Sequence, residues 1–140
     1  NIKVALEVDA DGVHIGQDDM SVEEARKLLG EDKIIGVSAH NVKEALKAQK
    51  GGADYLGVGA VCATSTKKDA NVVSKEEIKK IKEAVDIPIV AIGGIKKDNI
   101  DALTGTGIDG VAVVSAIFGA KDITKDTKEL LKTVKKMKQE

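Results

Sequence analysis

Aromatic residues are almost absent from this sequence. Its 140 residues include one Tyr, one Phe and no Trp, so the aromatic platforms on which proteins stack single-stranded nucleic acid are not expected. The sequence also lacks an excess of charge of either sign, because it has 22 Lys plus Arg and 23 Asp plus Glu. Such a balance gives no bulk attraction to nucleic acid or to an anionic membrane. We therefore expect no nucleic acid and no membrane as a partner.

Cysteine and long apolar runs are equally scarce. The single Cys62 cannot form an internal disulfide, which is typical of a protein from a reducing cytoplasm. No apolar run reaches the roughly 20 residues of a membrane span, and no signal peptide precedes the first predicted strand. The length predicts one domain over residues 1–140. It is too short for a complete eight-stranded (β/α) barrel, which needs about 250 residues.

Five short segments rich in Val, Ile and Gly predict β-strands. They are nearly apolar on both faces, as parallel strands covered by helices are. The segments are Gly12 to Gln17, Ile34 to Ala39, Tyr55 to Val61, Ile87 to Ile95 and Gly110 to Ile117.

The segments between the predicted strands carry helix signals. Ser21 and Ser74 each begin a capping box, with Glu three residues later. Asn41 and Asp98 are expected to be N-caps of two further helices. The last helix is predicted to place five apolar residues on one face, namely Ile123, Leu130, Leu131, Val134 and Met137. Residues 1–9 fit either a strand or a helix, and we favour a helix.

An aspartate stands at the start of each predicted strand. The five are Asp11, Asp32, Asp54, Asp86 and Asp109, and they are 21, 22, 32 and 23 residues apart. A βα unit therefore repeats five times, with about ten residues inserted in the third. The first, third and fifth starts share one pattern and the other two share a second, as alternate packing layers of a barrel would produce. We predict a partial TIM barrel, a (βα)5 arrangement with parallel strands. A doubly wound open sheet is the alternative, although its Gly-rich fingerprint is missing.

The loops after the last two strands predict a phosphate site. In (β/α) barrels this edge carries the working groups. Gly93 and Gly94 would let an anion approach backbone N–H groups, and Ser115 can donate a hydroxyl bond. Tight turns and packing alone would also account for the glycines.

Two further loops at the same edge carry polar side chains. Thr64, Thr66 and Lys67 lie in the inserted loop, where hydroxyls beside a lysine suit an oligophosphate. Asp19 closes the run Gln17-Asp18-Asp19, whose carboxylates suit Mg²⁺ held jointly with a phosphate. Ser38 is a weaker candidate of this kind. A solvated loop and helix-start acids are the plainer interpretations.

Three other reactive residues are not expected to carry chemistry. His14 lies within a strand and is interpreted as a hydrogen-bonded core residue. His40 has no acidic or nucleophilic partner recognisable from the sequence, and Cys62 lacks the Cys/His spacing of a metal site. No nucleophile and base stand out, so chemistry here would depend on positioned phosphates and metal.

Six motifs, in order and in register, resemble the thiamine-phosphate synthase family. They are Gly12-Val-His-Ile-Gly-Gln-Asp-Asp19, Gly36-Val-Ser-Ala-His40, Tyr55-Leu-Gly-Val-Gly59, Thr64-Ser-Thr-Lys67, Ala91-Ile-Gly-Gly-Ile95 and Val113-Val-Ser-Ala-Ile117. The resemblance implies a (β/α)8 barrel that joins a pyrimidine diphosphate to a thiazole phosphate with Mg²⁺. The related thiazole tautomerases share this fold but lack the metal acid and the Thr-Ser-Thr-Lys run.

The resemblance also implies a role for each candidate residue. Asp19 would bind magnesium, and Gly94 and Ser115 would hold the thiazole phosphate. The residues that would hold the pyrophosphate are Ser38, Thr64, Thr66 and Lys67. The matched segments correspond to the family's fourth to eighth strands, so the first three βα units are lacking. With them go a Gln-x-Arg-x-Lys motif and the second metal aspartate.

Three functions are consistent with this reading. The chain is expected to keep a phosphate- or thiamine-phosphate-binding rim without catalysing the reaction alone. Alternatives are a synthase that is active after assembly with a partner or as an oligomer, and a structural half-barrel module. Because an open arc leaves two sheet edges unpaired and an inner face of Val, Ile and Ala exposed, we expect self-association to a dimer or higher oligomer.

Overall fold

The computed structural model describes residues 1–62 and 72–139, which form alternating strands and helices. In chain order these are α1 (Ile2–Glu7), β1 (Gly12–Ile15), α2 (Val22–Leu29), β2 (Ile34–Ala39), α3 (Val42–Lys50), β3 (Tyr55–Val58), α4 (Lys75–Ala84), β4 (Ile89–Ile92), β5 (Gly110–Ala112), α5 (Ser115–Phe118) and α6 (Ile123–Met137). A 3₁₀ turn at Ile100–Leu103 lies between β4 and β5.

The strands form one parallel sheet in the order β1-β2-β3-β4-β5. A strand order that follows the chain is that of an arc of a (β/α) barrel, whereas a doubly wound sheet reverses its order at a switch point. The α/β fold with a (βα)5 arrangement is therefore confirmed, and the doubly wound alternative is wrong. That three βα units are lacking stays a prediction.

The hydrophobic core lies between the outer face of this arc and the helices. Its largest fully buried side chains come from β2, β3 and β4 and from the helical segments that cover them, and they are Ile35, Leu56, Val58, Ile78, Ile81, Ile89 and Ile100. Ala25, Ala45 and Ala48 are buried on α2 and α3. These small residues let the two helices lie close to the sheet, so the arc is covered on its convex side.

The predicted N-caps of α2, α3 and α4 are confirmed. The Ser21 hydroxyl accepts from Glu24 N–H while the Glu24 carboxylate accepts from Ser21 N–H, which completes a capping box. At α4 only half of the box forms. Ser74 accepts from Glu77 N–H, but the Glu77 carboxylate accepts instead from the N–H of Val42. That bond ties the start of α4 to the start of α3.

Several predicted boundaries were wrong. Asp98 does not cap a helix, because Asn99 precedes the 3₁₀ turn and its side chain accepts from the N–H of Lys96. The last strand was predicted to reach Ile117 but ends at Ala112, since Ser115 begins α5. β1, β3 and β4 are likewise shorter than predicted. In each case residues that favour a strand continue beyond the last paired residue, but the neighbouring strand offers them no partners.

Candidate functional site

The concave face of the arc holds an open cavity of about 390 Å³. It is lined by one or two side chains from each of four strands, namely His14, Tyr55, Gly57, Val90, Ile92 and Ala112. The predicted inner face of Val, Ile and Ala is correct for β4 and β5. It is wrong for the other half, where β1 to β3 present a histidine, a tyrosine and glycines. This half of the cavity can therefore make hydrogen bonds.

A hydrogen-bonded trio crosses β1, β2 and β3 on this face. His14 Nδ1 lies 3.0 Å from the Tyr55 hydroxyl, and His14 Nε2 lies 2.9 Å from Ser38 Oγ. The two rings are tilted by 42° with their centroids 5.6 Å apart. His14 was predicted to be a hydrogen-bonded core residue. It is hydrogen-bonded, but it faces the cavity and not the core, because the strand alternation buries Ile15 instead.

The environment of His14 favours its neutral form. Partial burial lowers the pKa of the imidazole below its usual range, and the nearby Asp19 carboxylate opposes this only in part. A neutral imidazole has one N–H donor and one nitrogen acceptor. The trio therefore has a direction that depends on which ring nitrogen carries the proton.

Two glycines make room for these rings. A Cβ at Gly36 would lie 2.1 Å from Cζ of Tyr55, and a Cβ at Gly57 would lie 2.8 Å from Cε1 of His14. Gly36 and Tyr55 are direct partners in the β2–β3 register. Tyr55 is a site residue that was not among the predicted ones. An aromatic residue opposite a glycine on the neighbouring strand was the available signal, but it can be seen only once the register is known.

Two hydrogen bonds order the loop after β1, one to the neighbouring strand and one within the loop. The Gln17 amide donates to the carbonyl of Ser38 at 2.6 Å, and the Asp19 carboxylate accepts from the N–H of Gly16 at 2.7 Å. Asp19 and Ser38 thus lie at the same C-terminal edge of β1 and β2, as the parallel topology predicts. Asp19 is exposed, so one of its oxygens stays open to a ligand.

The glycine pair after β4 has the backbone that the sequence predicts. Gly93 and Gly94 have φ of +94° and +69°, which side chains strongly disfavour. At Gly93 packing is part of the reason, because a Cβ there would lie 2.8 Å from Cα of Ala60. The Gly94 carbonyl accepts from the Asn99 amide at 2.8 Å. Packing against Ala60 and the hydrogen bond from Asn99 therefore both stabilise the glycine turn.

Ser115 lies at the same edge as the glycine pair. β4 and β5 pair with Ile92 opposite Ala112, so the loops that follow them leave the sheet side by side. Ser115 is exposed and is the first residue of α5. The structure thus brings the two predicted phosphate loops to adjacent positions at the strand C-termini.

Thr64, Thr66 and Lys67 lie outside the described residues. Among the residues that are described, no group of three or more His, Cys, Asp or Glu side chains could hold a metal ion. Asp19 offers a single carboxylate. Mg²⁺ sites often combine one or two carboxylates with phosphate oxygens, so the donor set of this part of the chain fits magnesium only in part.

The other two reactive residues differ from each other. His40 does have an acidic partner, contrary to prediction, since its Nδ1 lies 2.9 Å from the Glu44 carboxylate one helical turn later. Partial burial alone would raise the pKa of Glu44, but the bonds from His40 outweigh it and lower that pKa. Burial raises the pKa of the Cys62 thiol, which suits the expected packing role. Neither residue lines the cavity.

A sequential parallel arc, with polar groups and a glycine turn at its strand C-termini, defines a protein of the (β/α)-barrel class. A family model described as thiamine monophosphate synthase (TMP-TENI) matches residues 1–117. The chain belongs to this family.

The relatives agree with that assignment. The chain is 57% identical over 134 residues to a thiamine-phosphate synthase from Methanobrevibacter smithii, covering 96% of this chain and 64% of the relative. A Clostridium tetani thiamine-phosphate synthase is 55% identical over 129 residues, or 92% and 62% of the two chains. The solved thiamine phosphate pyrophosphorylase from Pyrococcus furiosus superposes with a TM-score of 0.88 at 50% identity, covering 98% of this chain and 65% of that one.

The chain spans slightly less than two thirds of the length of these relatives. The activity and substrates of the whole enzyme are therefore only proposed for this chain. Within residues 1–62 and 72–139, no helix is both long and apolar enough to cross a membrane. A cytoplasmic location stays a prediction.

Proposed function

We propose that this chain forms the phosphate-holding part of a thiamine-phosphate synthase barrel and does not catalyse the reaction by itself. The observation that carries the proposal is the left-handed glycine turn after β4 beside the loop of Ser115. It occurs in a chain that is 50–57% identical to the relatives named above. The ligand would be inorganic phosphate or a thiamine-phosphate-type small molecule.

The backbone near Gly94 and Ser115 would contact the phosphate. The successive backbone N–H groups of a turn of this kind can face one side and form a concave anion site. A glycine has no Cβ to keep the anion away from these groups. The Ser115 hydroxyl supplies a further donor from the neighbouring loop.

Ser38 would hold a second anionic group, and His14 would set its direction. A phosphate oxygen only accepts hydrogen bonds, so Ser38 must donate to it. Ser38 can do so while its oxygen accepts from His14 Nε2–H, and Nδ1 then accepts from the Tyr55 hydroxyl. The lowered pKa of His14 keeps the ring in the neutral form that this arrangement requires.

The remaining predicted ligands would complete the oligophosphate site. Thr64, Thr66 and Lys67 are proposed to bind a pyrophosphate, and Asp19 to bind Mg²⁺ together with phosphate oxygens. Magnesium would neutralise charge that develops on the departing pyrophosphate. The donor set of the described residues fits this ion only in part, so we assign no step to it.

Phosphate binding tests the first part of the proposal. Calorimetry with thiamine phosphate, or with inorganic phosphate, is expected to show binding at millimolar ligand. Ser115→Ala should weaken it about fivefold, because one hydrogen bond contributes about 1 kcal/mol. Thr127→Ala is the matched control, since Thr127 is an exposed hydroxyl residue on α6. No heat and no ligand-dependent shift of the melting temperature in the wild-type chain would contradict the proposal.

Turnover tests the second part. The purified chain, given pyrimidine diphosphate, thiazole phosphate and Mg²⁺, is expected to form no thiamine phosphate above a protein-free background. Developing negative charge needs preorganised cations on the leaving group, and we expect Lys67 together with a metal ion held by Asp19 alone to be insufficient. The Pyrococcus furiosus relative serves as positive control. Turnover by this chain that disappears in Lys67→Ala would contradict the proposal, because Lys67 and the other groups of the chain would then suffice to hold the departing pyrophosphate.

A further inference from the structure

Two hydroxyl groups compete for one acceptor nitrogen of His14. The Tyr55 hydroxyl lies 3.0 Å from Nδ1 of the ring, and Ser38 Oγ lies 2.9 Å from Nε2. A neutral imidazole has one N–H and one acceptor nitrogen, so only one of the two hydroxyls can donate to it. The other hydroxyl accepts from the ring, and its own proton is free for a different partner. Which hydroxyl donates therefore decides whether Ser38 can offer its proton to a ligand.

The Tyr55 hydroxyl is the stronger donor of the two. A phenol is more acidic than an alkyl alcohol because its ring delocalises the charge of the oxygen, so its O–H makes the better hydrogen bond to a nitrogen acceptor. Within residues 1–62 and 72–139, the Tyr55 hydroxyl has no hydrogen-bond partner other than His14 Nδ1. Its proton is thus expected on the bond to Nδ1. The ring proton is then on Nε2, and Ser38 accepts from it.

The sheet fixes the heavy atoms of this trio. Gly36 is the register partner of both His14 and Tyr55, so the two rings meet over a residue without a side chain. Ser38 lies two residues further along β2, and its side chain therefore leaves the same face. The bond from the Gln17 amide to the Ser38 carbonyl holds the backbone there. Loss of a single hydroxyl should thus rearrange the protons of the trio and leave its atoms in place.

We propose that Tyr55 is a positioning residue for the anion site at Ser38. By donating to Nδ1 it keeps the ring proton of His14 on Nε2, and the Ser38 hydroxyl then donates to a phosphate oxygen at the strand C-termini. Tyr55 acts through His14 and not by contact with the anion. The inference rests on the proposed role of Ser38 in holding an oligophosphate.

Tyr55→Phe removes the competing hydroxyl and keeps the aromatic ring. Ser38 then becomes the only hydroxyl beside the imidazole and can donate to Nε2, which moves the ring proton to Nδ1. In that form the Ser38 oxygen presents lone pairs to an anion, so only the chains that keep Nε2–H remain competent to bind through Ser38. The apparent Kd rises as the inverse of this competent fraction.

The ring nitrogens of His14 give the first measurement. The pKa of His14 lies below the ordinary value of about 6.5, so nitrogen NMR at about pH 8 observes the neutral ring. The wild type and Ser38→Ala are expected to carry the proton on Nε2, whereas in Tyr55→Phe it should shift at least partly to Nδ1. His40→Gln assigns the signals, because the chain has only two histidines. A merely structural role of the hydroxyl would not move this proton.

Calorimetry with inorganic pyrophosphate gives the second measurement. Ser38→Ala should raise the Kd about fivefold, as expected for one lost hydrogen bond. Tyr55→Phe should raise it about threefold if a third of the rings keep Nε2–H. A chain with both substitutions should bind as Ser38→Ala does, since the tyrosine acts only through the serine. Thr127→Ala, at an exposed hydroxyl on α6, should bind like the wild type.

The outcomes separate this inference from the proposed function. The inference alone is overturned if the wild-type ring carries its proton on Nδ1, or if Tyr55→Phe leaves the proton on Nε2. It is likewise overturned if Ser38→Ala weakens binding while Tyr55→Phe binds like the wild type, or if the two losses add in the double variant. Absence of pyrophosphate binding by the wild type would contradict the proposed function, and the inference would fail with it.

Discussion

Replacement of Gly12 by alanine is expected to reduce the free energy of unfolding by about 3 kcal/mol, near the upper end for overpacking substitutions. A Cβ at Gly12 would lie 2.3 Å from the carbonyl oxygen of Ile34 and 2.8 Å from its Cβ. Gly12 and Ile34 are partners in the β1–β2 register. Because the obstacle includes backbone, relief requires the two strands to separate at their N-terminal ends.

Gly110 is the matched control for this substitution. It follows Asp109 and begins β5 as Gly12 follows Asp11 and begins β1, yet nothing lies within 4 Å of a Cβ built on it. Gly110→Ala is therefore expected to change stability by less than about 1 kcal/mol. Urea unfolding of both variants at one protein concentration makes the comparison. Equal losses would show that the spacing at β1–β2 is not what requires glycine.

The strands could be predicted because each carries its own local signal. Val and Ile runs bounded by an aspartate identify all five, and the parallel order follows from the repeat. Their ends could not be predicted equally well. Val113 and Val114 favour a strand, but β5 ends at Ala112 because β4 provides no further partners. Strand length is thus set by the neighbour, and a single segment does not encode it.

The candidate site also has parts that could be predicted from the sequence and parts that could not. Gly93, Gly94 and Ser115 could be located from chain order alone, since parallel strands bring their C-terminal ends to one edge. The contacts of His14 with Ser38 and Tyr55 span 24 and 41 residues. They depend on which face each side chain takes, and a shift of register by one residue reverses that face. No local pattern reports it.

The strand-start aspartates show both sides of this limit. Their spacing predicted the repeat, and their two classes were visible in the residues that follow. The sequence did not show which of these aspartates form hydrogen bonds between strands, because the partners of Asp54 lie 19 and 28 residues away. At Asp86, which starts the fourth strand, the backbone N–H instead donates to the side-chain oxygen of Gln49. Identical residue types thus do different work at successive strands.

Replacement of Asp54 by alanine is expected to destabilise the protein by about 2 kcal/mol at pH 7. Two charge-assisted hydrogen bonds are lost, each about 1.5–3 kcal/mol in favourable settings, and the half-exposed carboxylate reduces their value through solvent screening. In the variant the guanidinium of Arg26 loses its carboxylate partner, and its side chain is only 13% exposed. It keeps bonds to the carbonyls of Lys33 and Gly52, so it does not lose all its acceptors. Asp32→Ala, at the exposed aspartate before β2, should reduce the free energy of unfolding by less than about 0.5 kcal/mol.

The loss at Asp54 should depend on pH. Partial burial alone would raise the pKa of its carboxyl, but the N–H of Ile35 and the guanidinium of Arg26 outweigh it and lower the pKa. A depressed pKa in the folded state means that the unfolded state binds the proton more readily. The stabilisation is therefore complete above the unfolded pKa of about 3.9 and is lost as the pH falls through the folded value. The difference between wild type and Asp54→Ala should be constant between about pH 7 and 5 and should shrink as the pH falls below the unfolded value of about 3.9. Urea unfolding at about pH 7, 5, 3 and 2 measures it. A difference that stays constant over this range would mean that the aspartate acts through packing and not through its charge.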